Sequence, residues 1–347
     1  MFENKTLYPY DNAVFIGRFQ PFHNGHLNTV RLALVEARNL IIVLGSSYSA
    51  PSVRNPWSVN EREQMIKSSL SEEELKRIQF VYVRDRLYQE NRWHKNVLNE
   101  IGKLISEHDS VVLIGHQKDL SSYYLKNFPN WRFIETGNYS NLNSTNIRND
   151  FFLMPTHQNI YCDLPHGVAN WLKVYALTQQ FDYMRNEFLC VHKNKETWKH
   201  SPYPPIFTTV NSLVYCNGYI LLVQRKYSPG KNLLALPGGY LEENETILDG
   251  ALRETYEETF IEYEQEKLRG SLLTSHVFDY PERSALGRVV SHTYAFHINE
   301  NLCPKVSAGD DALKAQWYLV DDILCSEEKM FSDHYQIIRF FLNLLKF

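Results

Sequence analysis

Cysteine is scarce and scattered in this 347-residue chain: Cys162, Cys190, Cys216, Cys303 and Cys325 are odd in number and form no C-x-x-C pair. That spacing supports neither a zinc site nor a disulfide framework, and the thiols read as reduced. A basic excess is missing as well. Lys and Arg number 36 against 40 Asp and Glu, a net charge of −4, so the chain carries no electrostatic footprint for nucleic acid. No apolar run approaches the length needed to span a bilayer. The stretch Met1 to Asn12 is polar and lacks the apolar core of a secretory signal. Together these absences predict a cytoplasmic protein with no nucleic-acid and no membrane partner. One motif is absent too: no strand-like run leads into G-x-G-x-x-G, which argues against a dinucleotide-binding dehydrogenase.

What is present has the balance of a soluble globular protein, with 44% hydrophobic and 22% charged residues. The length predicts two domains. In the first half, Val14 to Gly17, Leu40 to Gly45, Gln79 to Val83 and Ser110 to Gly115 are apolar runs, most of them ending in Gly. Helical spacing fills Leu27 to Ala37, Val59 to Leu70 and Trp93 to Ile105. Such alternation predicts a doubly wound parallel sheet with its ligand at the carboxyl ends of the strands. A further helix over Leu164 to Val191 is assigned to closing this domain. The boundaries expected are a first domain at 1–192, a linker rich in Lys, His and Pro at 193–205, and a second domain at 206–347.

The first half is organised around Val14-Phe15-Ile16-Gly17-Arg18-Phe19-Gln20-Pro21-Phe22-His23-Asn24-Gly25-His26. A buried strand, a tight loop and a helix starting near Asn24 put unpaired N–H groups and a partial positive charge at one spot, a seat for phosphate. His23 and His26, at i and i+3, place two imidazoles on the same side of that seat. They can donate hydrogen bonds to a phosphate without bonding to it covalently.

Gly17 to His26 resembles the H-x-G-H nucleotidyltransferase signature, in the form found in nicotinamide-mononucleotide (NMN) adenylyltransferases of the archaeal type. Three other stretches are similar to segments of the same family. They are Asn55-Pro56-Trp57-Ser58-Val59-Asn60-Glu61-Arg62, Gly115-His116-Gln117-Lys118-Asp119 and Ser144-Thr145-Asn146-Ile147-Arg148. The resemblance implies that His23, His26, Lys118 and Arg148 stabilise charge on the phosphates. It further implies substrate contacts at Gly17, Arg18, Phe19, Gln20, Asn60, Arg62, Gly115, Asp119, Ser144 and Thr145, and Trp93 is a candidate to stack on a pyridine ring. On local grounds Ser58 or Asn60 caps one helix, and Ser144 and Thr145 cap another.

In the second half, Gly239-x5-Glu245-x7-Arg253-Glu254-Thr255-Tyr256-Glu257-Glu258-Thr259-Phe260-Ile261 follows Leu236-Pro237-Gly238. Ile247, Leu248, Ala251, Leu252 and Thr255 share one helical face, with Glu254, Glu257 and Glu258 on an adjoining arc. Carboxylates three and four apart repel one another, and a bound Mg²⁺ or Mn²⁺ removes that penalty while polarising a diphosphate. Arg253 and Glu245 are expected to tie loop to helix. The pattern resembles the Nudix box, with Thr255 where an aliphatic residue is usual and Phe260 where Gly is usual. The resemblance implies metal ligation by Glu254, Glu257 and Glu258, with the Gly238 backbone and Asp311 as further candidates. It also implies catalytic roles for Arg253 and these carboxylates, and substrate contacts at Gly239 and Arg288.

The fold class expected is therefore α/β: an N-terminal Rossmann-like nucleotidyltransferase domain with a doubly wound parallel sheet, and a C-terminal Nudix α/β/α mixed-sheet domain. The activities implied are adenylyl transfer from ATP to NMN and metal-dependent hydrolysis of ADP-ribose. ATP, NMN and ADP-ribose are the expected partners, with homo-oligomerisation open. Two alternatives stay open at this level. The first domain could adenylylate another phosphate, such as phosphopantetheine or FMN, and the second could be a non-catalytic sensor of ADP-ribose.

Overall fold

The structure is a computed structural model that describes residues 8–116, 128, 131–137, 139–309 and 311–346. The chain divides into two compact units, 1–185 and 186–347, and the division falls inside the helix Gln179–Thr197.

The first unit runs β1 (Tyr10–Gly17), α1 (Asn24–Glu36), β2 (Ala37–Leu44), α2 (Val59–Lys67), α3 (Glu72–Leu75), β3 (Ile78–Tyr82), α4 (Glu90–Gly102), β4 (Val111–Gly115), β5 (Arg132–Glu135), α5 (Ser144–Leu153), α6 (His166–Tyr175) and α7 (Gln179–Thr197). Its strands form one parallel sheet in the order β3-β2-β1-β4-β5. The continuous apolar runs reflect burial on both faces. Val14, Ile16, Ile41, Val43, Val81 and Leu113 pack with Val97 and Ile101 of α4. The intervening Ala13, Phe15, Leu40 and Ile42 are buried on the other side. Each such aliphatic side chain contributes about 1.5–3 kcal/mol when fully buried, which a half-solvated sheet would forfeit on one face.

Strand order reverses between β1 and β4, and there the two strands part. They pair only from Asn12↔Val111 to Val14↔Leu113, whereas β1 follows β2 as far as Gly17↔Leu44. The resulting crevice at the carboxyl ends is where such a sheet binds its ligand.

The helix expected over Leu164 to Val191 is two helices, α6 and α7. Thr178 causes the break: its hydroxyl donates to the Tyr175 carbonyl (2.7 Å) and accepts from the Phe181 N–H (3.1 Å), capping the second helix. Helix α7 continues to Thr197, so residues 193–197, expected in the linker, form a solvated helix end.

The second unit runs from β6 (Ile206–Cys216) and β7 (Tyr219–Arg225) through β8 (Leu234–Ala235), β9 (Gly238–Tyr240), α8 (Ile247–Thr259), α9 (Gln265–Gly270), β10 (Leu272–Phe278), β11 (Arg288–Ile298), β12 (Ala312–Leu319) and α10 (Val320–Leu324) to α11 (His334–Leu345). The sheet order is β10-β11-β6-β7-β12, with β8 on β7 and β9 on β6. It is mixed, because β11 and β6 are parallel and the other pairs antiparallel. Asn217 and Gly218 turn the first hairpin with φ of 45° and 84°, a conformation that suits these two residues. Helix α8 lays Leu248, Leu252 and Tyr256 on a core of Val214, Leu221 and Phe296. Among the described residues no helix is long and apolar enough to cross a membrane.

Candidate active sites

In the first unit α1 begins immediately after the loop that follows β1, with His23 at its N-cap. The backbone N–H of His23 donates to Nδ1 of His26 at 3.3 Å, which leaves the His26 proton on Nε2. The two rings stack with centroids 3.7 Å apart. Phe22 also stacks on His26, with centroids 5.6 Å apart, and Phe19 meets it edge-on at 5.0 Å. Burial, aided by the neighbouring His23, holds the His26 pKa well below the usual imidazole value. The ring is therefore a neutral donor at the helix N-terminus.

The arginines divide by burial. Arg18 projects from the carboxyl end of β1 with its side chain exposed. Arg62, expected to touch substrate, is fully buried and donates to the carbonyls of Arg18 and Gly45 (both 2.8 Å) and Ser46 (3.2 Å). Its guanidinium fastens the ends of β1 and β2, and with no accessible surface it cannot meet a ligand. Burial lowers its pKa to about 10. Arg148 is also buried and donates to the carbonyls of Gln20, Val53 and Ser144. Burial, with Arg18 and Arg54 nearby, brings its pKa to about 9. Its guanidinium thus ties α5 both to the Gln20 loop and to the loop carrying Val53.

Gln20 and Phe19 are likewise interior. The Gln20 amide exchanges two hydrogen bonds with the Trp57 backbone, so it shapes the loop. Ser58 is the α2 cap, in reciprocal hydrogen bonds with Glu61, and Asn60 is exposed on the first turn. The α5 cap is Asn143, which accepts from the Thr145 N–H at 2.9 Å, while the Ser144 hydroxyl donates to the Pro21 carbonyl. Thr145 is exposed at this second helix N-terminus. Gly17 and Gly115 end β1 and β4 at the crevice. Trp93 is partly buried against the core and packs edge-on to His94. Lys118 and Asp119 lie outside the described residues. Asp85, which the sequence reading did not single out, accepts from the Ser46 N–H and hydroxyl. Its place just past β3, at the carboxyl end of a parallel strand, was the available signal.

In the second unit Arg253 is the centre of a charged knot on α8. Nε and Nη2 fork onto Glu245 at 2.9 and 2.8 Å, and Nη1 reaches Glu254 (3.0 Å) and Glu257 (2.8 Å). The expected tie between Glu245 and Arg253 is thus observed. Glu258 turns instead to β9, where the Gly238 N–H donates to it at 3.0 Å. Glycine at 239 permits the close approach of the helix: a Cβ there would stand 2.4 Å from Glu254 Oε1.

Burial raises the Glu254 pKa, and it lifts that of Glu258 to about 7, with the charges of Glu254 and Asp311 adding to the rise. Glu257 is 59% exposed. Among the described residues no three His, Cys, Asp or Glu groups are gathered into a ready-made metal site. Arg253, holding Glu254 and Glu257, accounts for that. The donors still fit a hard divalent cation, being carboxylate oxygens whose burial opposes ionisation without a countercharge. Arg288 begins β11 and pairs with Asp279 at 3.6 Å. Asn211, missed in the sequence, is buried beneath Gly238 and donates to Ser291 Oγ at 2.7 Å.

The two departures from the Nudix pattern are accommodated locally. Thr255 is fully buried, and its hydroxyl donates to the Ala251 carbonyl at 2.7 Å. Phe260 ends α8 in the left-handed conformation, φ 39° and ψ 44°, which is the role glycine usually fills.

Comparison with known proteins matches both halves. Residues 14–150 fit the Cytidylyltransferase-like family and 207–341 the NUDIX domain. The nicotinamide/nicotinic acid mononucleotide adenylyltransferase of Acinetobacter baylyi is 34% identical over 183 residues, 52% of this chain and 95% of that protein. The ADP-ribose pyrophosphatase of Methanocaldococcus jannaschii is 29% identical over 151 residues, 44% of this chain and 82% of that one. The crystal structure of a bifunctional NMN adenylyltransferase/ADP-ribose pyrophosphatase from Francisella tularensis, complexed with AMP and a Mn ion, spans both halves. It is 37% identical, covers 96% of this chain and 99% of that one, and has a TM-score of 0.91. With one imidazole site, one carboxylate site and a fused relative matched from end to end, the chain belongs to the bifunctional NMN adenylyltransferase/ADP-ribose pyrophosphatase family.

Proposed function

We propose that the first unit transfers the adenylyl group of ATP to NMN, giving NAD and pyrophosphate, and that the second hydrolyses ADP-ribose to AMP and ribose 5-phosphate. The observation that carries this reading is the similarity, over nearly the whole chain, to one fused enzyme of both kinds. In the first unit the NMN phosphate attacks the α-phosphorus of ATP. His23 and His26 at the α1 N-terminus, together with Lys118 and the exposed Arg18, take the charge that builds on the phosphate oxygens. Arg148 and Arg62 hold the loops that present these groups. Preorganised donors suffice for such chemistry, with no enzyme nucleophile.

In the second unit Glu254 and Glu258, with the Gly238 backbone, Glu257 and Asp311, are assigned to holding Mg²⁺ or Mn²⁺. Such a cation neutralises a diphosphate and lowers the pKa of water. Arg253 fixes Glu245, Glu254 and Glu257 relative to Gly239, and one of the carboxylates serves as base. The full chain should convert ATP and NMN to NAD, and ADP-ribose with Mn²⁺ to AMP, both resolved by chromatography. Transfer to FMN or phosphopantetheine in preference to NMN would overturn the first assignment. Binding of ADP-ribose without release of AMP would overturn the second.

A further inference from the structure

Strand β8 feeds Leu236-Pro237-Gly238-Gly239 into the carboxylate site, so whatever fixes that stretch decides where the Gly238 N–H points. On one side β8 pairs with β7, Gln224↔Leu234 and Val223↔Ala235. On the other, Leu234 bridges to Met330, and the Phe331 N–H donates to the Leu234 carbonyl at 2.7 Å. The chain beyond Phe331 then turns into α11 and offers no further strand. The next donor on this side, the Leu236 N–H, is taken by Nδ1 of His334 at 2.9 Å. Leu236 is 1% and His334 7% exposed, so water cannot substitute. Burial pulls the His334 pKa to about 3, leaving a neutral ring with its lone pair on Nδ1. Next to it the buried pair Asp333–Arg283, 2.8 Å apart, anchors the start of α11. Past Leu236, the Pro237 carbonyl accepts from the Ser212 N–H at 2.9 Å, and the Gly238 N–H reaches Glu258 at 3.0 Å.

We propose that His334 is a positioning residue for the hydrolytic site: its imidazole takes the place of a strand carbonyl, holds Leu236 to Gly239 in register, and so aims the Gly238 N–H at Glu258. The inference rests on the assignment of ADP-ribose hydrolysis to this unit. It follows that the acceptor at the Nδ1 position matters, not the bulk of the ring. Asparagine can present Oδ1 at that position. Glutamine places its oxygen one bond further out, and leucine offers none and leaves the Leu236 N–H buried and unpaired.

The test uses the full chain as wild type and as His334→Leu, His334→Gln and His334→Asn. Each is assayed for ADP-ribose hydrolysis with Mn²⁺, for Mn²⁺ binding by electron paramagnetic resonance, for the thermal denaturation transition of the second unit as a folding control, and for NMN adenylylation as a control on the first unit. Leu and Gln should lower kcat and weaken Mn²⁺ binding by roughly tenfold or more, with KM little changed, while Asn stays within about threefold of wild type. Unchanged kcat and Mn²⁺ affinity in all variants would overturn the proposal, as would equal losses for Asn and Gln, which point to packing alone. If the Leu variant does not fold, the Asn and Gln pair decides. A wild type that releases no AMP sinks the activity assignment, and the Mn²⁺ titration still reads the role of His334.

Discussion

In the first unit Arg62 and Arg148 are buried among backbone carbonyls, whereas in the second Arg253 lies among carboxylates. The consequences run in opposite directions. Carbonyl dipoles compensate a guanidinium only partly, and burial brings Arg62 to about 10 and Arg148 to about 9. Glu245 and its neighbours raise the Arg253 pKa. The first unit therefore rests its buried guanidinium charge on backbone carbonyls, with Asp85 and Glu61 offsetting part of that of Arg62. The second ties Arg253 to Glu245, Glu254 and Glu257, and leaves Glu258 to the Gly238 N–H and the charge of Arg225, with its pKa still raised to about 7.

That contrast is open to experiment. The largest effect is expected from Glu258→Gln, which should lower ADP-ribose hydrolysis by roughly 10³-fold, since a metal supplies several kcal/mol to such a reaction. NAD synthesis by the variant should be untouched, and EDTA should lower ADP-ribose hydrolysis by the wild type to a similar extent. An EDTA-resistant hydrolysis would erase the distinction between the sites. His26→Ala should reduce NAD synthesis by about 10²–10³-fold, the worth of one preorganised donor, and leave ADP-ribose hydrolysis intact. Steady-state kinetics within threefold of wild type would remove His26 from the mechanism.

A smaller effect concerns stability. Arg62→Ala leaves buried carbonyls of Arg18, Gly45 and Ser46 without a donor and should destabilise the first unit by about 3 kcal/mol or more, read from its denaturation transition. An unchanged midpoint would mean that those carbonyls do not depend on Arg62 for their partners. The smallest effect is at Phe260, 55% exposed in the left-handed region. Phe260→Gly should stabilise the second unit by about 1 kcal/mol with hydrolysis unchanged. A loss of stability would show that the aromatic ring contributes more than its backbone costs.

Much of this was legible beforehand because local chemistry decides it. Apolar runs ending in Gly17 and Gly115 became β1 and β4, and Asn24 opened α1 as expected. The reciprocal Ser58–Glu61 cap and the Glu245–Arg253 tie depend on residues close in sequence, so spacing predicts them. Arg62, Gln20 and Phe19 were harder. A carbonyl oxygen and a phosphate oxygen accept the same hydrogen bonds, so a motif cannot tell which one a guanidinium meets. The break at Thr178 was hidden because the helical period continues through it. His334 stands 98 residues from Leu236, and only the folded chain brings them together.

The depressed pKa of His26 carries one more consequence. An imidazole that stays uncharged across the working range behaves as a backbone amide mounted on a longer arm. It should contribute no inflection near pH 6.5 to the adenylyl-transfer profile, and the same hydrogen bond is offered to the phosphates in mild acid and in mild base. Phe22 and Phe19, packed around the ring, thus act as the insulation that keeps this one donor from changing its charge with the proton concentration around it.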